Sequence, residues 1–184
     1  KRNISLLTSL LERGIEDHRF DFYVVSAAPE DVVHSALEGI VPPERVIATR
    51  FVYAEGSEEI ERIVRAAAGY GKVAAVNELR ESLGLPGERV VYVGDGSSDI
   101  HVMLHVNQRK GFTIAVSQAE YLTQIAKRTV LSDDAVSVLL PFLEDICAWD
   151  ASKICEFFES QVLMIQDWAK KRTDWCAGRP NRAH

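Results

Sequence analysis

The chain has 184 residues, of which 47% are hydrophobic and 26% are charged, and its formal net charge is -6. This length suits one compact domain with some appended structure. The negative charge argues against a protein that binds nucleic acid through its phosphates and against one that docks on an acidic membrane surface. A small phosphorylated molecule is still compatible with it, because only the field within a pocket matters.

The cysteine pattern and the hydropathy exclude further classes of protein. The three cysteines, Cys147, Cys155 and Cys176, form neither a CxxC pair nor a zinc pattern. No stretch approaches the roughly 20 apolar residues of a membrane span. We therefore expect a cytoplasmic protein with reduced thiols and no membrane partner.

The spacing of apolar residues predicts the elements in chain order. A helix over residues 4–14 precedes a β-rich run over 22–25, which ends at Ser26-Ala27-Ala28-Pro29. The later predictions are a helix from 29 to about 39, extended segments at 45–49 and 51–54, helices at 58–68 and 72–83, a strand at 89–93 buried on both faces, a helix at 99–106, a strand at 112–116, a helix at 119–127, a strand at 129–131, a helix at 134–148 interrupted near Pro141, and helices over 151–175.

The alternation of strand and helix between residues 20 and 148 is typical of an α/β domain. We expect a Rossmann-like parallel sheet with helices on both faces, formed by residues 1–148. Residues 149–184 are predicted to be a C-terminal helical appendage with a polar tail. If its apolar stripe does not fold back, it would offer a surface for a homo-oligomer.

The run Gly94-Asp95-Gly96-Ser97-Ser98-Asp99 carries the strongest chemical signal. In an open parallel sheet, ligands bind beyond the carboxyl ends of the strands. Asp95 follows a predicted strand and Asp99 lies about one helical turn later, so two hard oxygen ligands suited to Mg²⁺ converge there. The competing interpretations are a tight turn with Asp99 as a helix cap, and a dinucleotide loop, which needs a glycine at position 99.

Two further strand or helix ends carry weaker signals. Ser26 and Ala27 end a strand, where a hydroxyl and backbone N–H groups could bind a phosphoryl oxygen, although serines there are usually turn residues. Lys72 opens a helix, an unfavourable place for a cation unless an anion lies nearby.

Other residues of catalytic type favour structural roles. His101 and His105 would share one helix face, but the glutamate of a zinc HExxH motif is absent. The tryptophans and phenylalanines of the C-terminal region favour packing over a ligand cage.

In this order, Ser26, Lys72 and Gly94–Asp99 resemble the second, third and fourth motifs of the haloacid dehalogenase superfamily of phosphatases. The resemblance covers roughly residues 5–146. The segment Ala68–Ala75 is most similar to the phosphoserine-phosphatase-like branch, although Ser98 stands where that branch often has Asn.

The resemblance implies a role for each matching residue. Asp95 would bind Mg²⁺ directly, and Asp99 would bind it through water or orient Asp95 or Lys72. Ser26 and Ala27 would bind the phosphoryl group, while Lys72 would neutralise charge during catalysis. Gly94 and Gly96 would shape the loop. This division suits phosphoryl transfer, which depends on positioning and charge stabilisation.

The first motif of that superfamily, Asp-x-Asp-x-Thr/Val, supplies its nucleophile and is not found at any strand end here. Asp17 and Asp21 flank a basic stretch, and Asp133-Asp134 follows a different strand. The chain starts Lys1-Arg2-Asn3, directly before a helix, so we expect the first strand, its aspartates and a cap domain to lie upstream. The other interpretation is a relative without a nucleophile.

Two functions follow from these patterns. The first is a Mg²⁺-dependent phosphomonoester hydrolase that acts on a small phosphorylated metabolite, with the 184-residue chain inactive alone. The alternative is a phosphate- or metal-binding module of the same fold without turnover.

Overall fold

The protein is described here by a computed structural model, which covers residues 3–161 and 173–175. Its first helix, α1 (Ile4–Arg13), forms where the sequence predicts it. Leu7 and Leu10 on its buried face join a hydrophobic cluster that contains Leu140 and Leu143 of a later helix. Burial of this stripe explains why the period of apolar residues is helical.

Three strands form the first sheet, in the order β1-β2-β3. Strands β1 (Val24–Pro29) and β2 (Val46–Tyr53) are parallel, and α2 (Glu30–Ala36) lies between them in sequence. The predicted break within residues 45–54 is wrong, since β2 is continuous.

Strand β3 (Ile60–Arg65) contradicts the helix predicted over residues 58–68. Ile60, Ile63 and Val64 have the i, i+3, i+4 spacing of a helix face, but all three are β-branched, and Ile60 and Ile63 pair antiparallel with β2. Two register irregularities in this pairing break the alternation that would have marked a strand.

The second sheet has the order β4-β5-β6-β7. Strands β4 (Val91–Gly94), β5 (Phe112–Ala115) and β6 (Arg128–Val130) are parallel, and β7 (Thr173–Trp175) pairs antiparallel with β6. The prediction of full burial for β4 is wrong, because Val91 and Val93 are 40% and 41% exposed while Tyr92 between them is buried.

Helices connect these strands. They are α3 (Tyr70–Ser82), α4 (Ile100–Gln108), α5 (Glu120–Ile125) and α6 (Leu139–Asp145). Helix α3 contacts both β1 and α4, so it links the two sheets. A 3-10 turn over Ala135–Val138 precedes α6, and Pro141 lies in the first turn of α6 instead of interrupting the helix. The predicted Rossmann-like α/β architecture is confirmed.

The C-terminal region is helical in part. Helix α7 (Ala151–Ser160) buries Ile154 and Phe158 in the cluster that contains α1 and α6, and Trp149 packs edge-on against Phe157. The helix predicted as far as residue 175 is wrong at β7, and the predictions for 162–172 and 176–184 lie outside the described residues. No helix in the described ranges is long and apolar enough to cross a membrane.

Candidate active site

The carboxylate of Asp99 is the centre of the Gly94–Asp99 loop. Its Oδ1 accepts hydrogen bonds from Lys72 Nζ at 2.5 Å and from the Tyr92 hydroxyl at 2.7 Å. Its Oδ2 accepts from the backbone N–H groups of Asp95 at 3.0 Å and Gly96 at 3.1 Å. The residue is 2% exposed, so these four donors replace water around a buried charge.

Hydrogen bonds keep this buried carboxylate ionised. Burial raises the pKa of Asp99, but the bonds from Lys72 and Tyr92 outweigh burial and the pKa lies below its usual value of 3.8. Burial, followed by the bond to Asp99, raises the pKa of Tyr92 far above its ordinary value, so the phenol remains a donor. Lys72 is 6% exposed, and Asp99 is its ion-pair partner.

The two glycines of the loop differ in what they contribute. A Cβ on Gly94 would lie 2.7 Å from the Cβ of Asp99, so this position needs glycine to let the carboxylate approach. A Cβ on Gly96 would meet nothing within 4 Å, and its φ of -140° is open to any residue. Close approach, and not turn geometry, is therefore the reason for glycine at position 94.

Asp95 is the second acid of the loop and has the opposite environment. Its side chain is exposed and has no hydrogen-bond partner within the described residues. The carboxylate of Asp95 could therefore coordinate a cation. Both oxygens of Asp99, by contrast, are occupied by its four hydrogen bonds. No group of three or more His, Cys, Asp or Glu side chains in the described part of the chain could hold a metal ion.

Lys72 owes its inward position to the backbone that precedes it. Gly69 has φ +52°, a conformation that L-residues rarely adopt. A Cβ on Gly71 would lie 1.8 Å from the carbonyl oxygen of Ala66, so only glycine fits there. The Gly-Tyr-Gly-Lys segment is therefore fixed by local geometry as it enters α3.

Ser26 and Ala27 lie where β1 departs from the regular ladder with β2. The register shifts between Val25 and Pro29, so the intervening residues are outside the regular pairing. The Ser26 hydroxyl accepts from the N–H of Ala28 at 3.2 Å and keeps its own hydrogen for another acceptor. The structure shows no bond from Ser26 to Lys72, Asp95 or Asp99 in the described residues.

Thr49 of β2 connects the two loops and was missed by sequence reasoning. Its buried hydroxyl donates to the carbonyl of Ala27 at 2.8 Å and accepts from the N–H of Ala67 at 3.2 Å. It thus ties the end of β1 to the segment that leads to Lys72. Tyr92 was also missed, because a tyrosine in an apolar strand looks like ordinary core.

The two histidines of α4 point to different partners. His101 stacks on Tyr70, while His105 Nε2 lies 2.8 Å from Oδ1 of Asn77. Burial, together with the nearby Arg109 and Arg80, lowers the pKa of His105 below its ordinary value. Both residues thus contact α3 from α4.

Comparisons with known proteins bear on the fold and the family of the chain. The structure of gene product AF1437 from Archaeoglobus fulgidus matches with a TM-score of 0.65 at 16% identity, which shows a shared fold. The match covers 97% of this chain, which spans only 64% of that one. No curated protein matches the chain. The family model for haloacid dehalogenase-like hydrolases matches residues 9–104, a little over half of the chain. The chain therefore belongs to the haloacid dehalogenase-like hydrolase family.

Proposed function

We propose that the protein is a Mg²⁺-dependent phosphomonoester hydrolase that acts on a small phosphorylated metabolite. The observation that carries the proposal is the division of labour between Asp95, exposed and unpaired in the described residues, and Asp99, buried and bonded to Lys72. Asp95 could bind a metal ion, while Asp99 holds the ammonium group of Lys72 in place.

Asp95 is the residue that fits a bound Mg²⁺. Magnesium keeps several waters and is bound through one or two carboxylates together with substrate phosphates, so a single free carboxylate can contribute to its site. When bound, the ion would neutralise charge on the phosphoryl group. Asp99 would act indirectly, by fixing Lys72 and the backbone N–H groups of Asp95 and Gly96.

The protein's own residues would bind and position the phosphoryl group. Lys72 Nζ retains two N–H bonds beyond the one to Asp99 and would direct them at phosphoryl oxygens. The Ser26 hydroxyl and the backbone near Ala27 would supply neutral donors. Hydrolysis converts a phosphomonoester and water into an alcohol and inorganic phosphate.

The nucleophile would come from a strand outside the 184 residues. Within the described residues, β1 and β4 each pair with one strand only, and their carboxyl ends carry Ser26 and Asp95. The edges of β1 and β4 that have no partner among the described residues could each accept one more strand in the plane of the sheet. A further parallel strand bearing Asp-x-Asp beside β4 would place its carboxylates at the same end of the sheet as Asp95.

The test measures phosphate release from p-nitrophenyl phosphate by the full-length protein. We expect activity that requires Mg²⁺, is lost with EDTA and falls at least about 100-fold in Asp95→Asn. Asp133→Asn, an exposed acid beyond another strand, is the matched control and keeps full activity. Activity that survives both EDTA and Asp95→Asn contradicts the proposal.

The missing Asp-x-Asp favours a second candidate, a module that binds phosphate or metal without turnover. Calorimetry with Mg²⁺ and inorganic phosphate would then show binding by a full-length protein that releases no phosphate. Under the hydrolase proposal, by contrast, only the 184-residue chain is inactive, because positioning residues do not replace a nucleophile. Robust turnover by that chain would refute the idea of an external nucleophile.

A further inference from the structure

Tyr70 and His101 form a stacked pair that the proposed mechanism does not use. Their ring centroids are 4.2 Å apart and their planes are inclined by 19°. Tyr70 is 74% exposed, and His101 is exposed as well. Single exposed aromatic residues are ordinary, but two rings stacked in water on different helices form a defined flat surface.

The backbone at the start of α3 fixes the side chain of Tyr70 in an exposed position and that of Lys72 in a buried one. Tyr70 stands between Gly69, with φ +52°, and Gly71, where a Cβ would lie 1.8 Å from the carbonyl oxygen of Ala66. Neither flanking position accepts a side chain without strain. The presentation of this ring to solvent is therefore built into the start of α3.

The pair lies at the two helix ends that also carry the Lys72–Asp99 ion pair. Tyr70 is the first residue of α3 and His101 the second of α4, each two residues from a member of the Lys72–Asp99 ion pair. Because that ion pair joins the first turns of the two helices, the stacked rings lie at the same helix ends. An organic group that extends from a phosphoryl group at Lys72 along these helix ends would meet the rings.

We propose that the Tyr70–His101 stack is the contact surface for the leaving group of the substrate and favours a planar or apolar one. This rests on the proposed phosphomonoester site and adds a substrate class to it. Aromatic contacts contribute about 0.5–1.5 kcal/mol, which corresponds to about 2- to 12-fold in binding.

The test uses two non-hydrolysable anions that differ only by a ring, benzylphosphonate and methylphosphonate. Each is titrated calorimetrically into the full-length protein with Mg²⁺. We expect the wild type to bind benzylphosphonate more tightly. Tyr70→Ala should weaken the binding of benzylphosphonate about 2- to 12-fold and change the binding of methylphosphonate by no more than about 2-fold. Tyr70→Phe should keep the preference, and so should Tyr121→Ala, a matched control at a tyrosine 45% exposed on α5.

The outcomes separate this inference from the proposed function. Equal binding of the two anions by the wild type, or equal weakening of both in Tyr70→Ala, overturns the ring contact. Neither result requires turnover, so the ring contact can fail while phosphate release persists. A ring preference lost in Tyr70→Ala, in a protein that hydrolyses no phosphomonoester, would support the contact and contradict the hydrolase. Binding of neither anion by a protein that releases phosphate from p-nitrophenyl phosphate overturns the ring contact alone.

Discussion

Replacing Asp99 with Asn changes one atom of the buried cluster while keeping its shape. The remaining side-chain oxygen can still accept from the N–H groups of Asp95 and Gly96. The new amide NH₂ then faces Lys72 Nζ and the Tyr92 hydroxyl, both of which donate to that position in the native protein. The substitution would therefore leave a buried ammonium group without its counter-charge.

The expected cost follows from this arrangement. Removing one partner of a buried ion pair costs about 3–5 kcal/mol, because the other charge stays in a low-dielectric environment. Small domains have a total stability of about 5–15 kcal/mol, so this is a large share. With a urea dependence near 2 kcal/mol per molar, the unfolding midpoint would fall by about 2 M.

Urea denaturation followed by circular dichroism measures this change, and a double-mutant cycle identifies its cause. Lys72→Met removes the stranded charge, so the double variant should lose at least about 1 kcal/mol less than the sum of the single losses. Asp95→Asn, four residues away and exposed, should change stability by no more than about 0.5 kcal/mol. A loss below about 1 kcal/mol in Asp99→Asn, or strict additivity in the cycle, would refute the reasoning.

Two further changes test the backbone and a surface ion pair. Gly71→Ala should destabilise by about 1–3 kcal/mol or more, since its Cβ meets the Ala66 carbonyl, whereas Gly96→Ala should be neutral or slightly stabilising; equal unfolding midpoints for the two variants would contradict this. The hydrogen bonds from Arg50 lower the pKa of Glu30 below 4.5, so its contribution to stability is present above that pH and is lost as the pH falls through the lower value. Because Arg50 is 57% exposed, Glu30→Gln should cost under about 1 kcal/mol at pH 7, and urea titrations should show this difference shrinking below pH 4.5. A stability difference between the wild type and Glu30→Gln that grows on acidification would contradict the stabilising role given to the Glu30–Arg50 ion pair.

Local signals explain which parts of the fold could be predicted. The helix predicted from residue 72 begins two residues earlier, at Tyr70; this helix, the strand before Gly94 and the loop to Asp99 are marked by glycines next to apolar runs, and these depend on neighbours in sequence. Ser26, Lys72 and the two acids were found by their order along the chain. The structure bonds Lys72 directly to Asp99, as an orienting role for Asp99 requires.

Strand β3 could not be predicted because the deciding interaction is distant in sequence. Ile60, Ile63 and Val64 fit a helix by spacing, and all three are largely exposed, so no burial pattern favours a strand. Pairing of Ile63 with Phe51 of β2 supplies the backbone hydrogen bonds that decide the outcome. For the same reason the partners of Thr49 could not be read from the sequence, since Ala27 and Ala67 lie 22 and 18 residues away from it.

The Gly94–Asp99 loop shows that a tight turn and a functional acid are compatible interpretations. Asp99 makes no side-chain bond to the first turn of α4; its Oδ2 accepts instead from Asp95 and Gly96, which precede the 3-10 turn Ser97–Asp99, and its Oδ1 binds Lys72. Since the backbone bonds fix one oxygen, the other can direct Lys72 without moving. Asp95 is left free of side-chain bonds within the described residues, and its exposed carboxylate is the part of the loop that can meet a cation. Asp95 is therefore needed beside Asp99, because hydrogen bonds already occupy both carboxylate oxygens of Asp99.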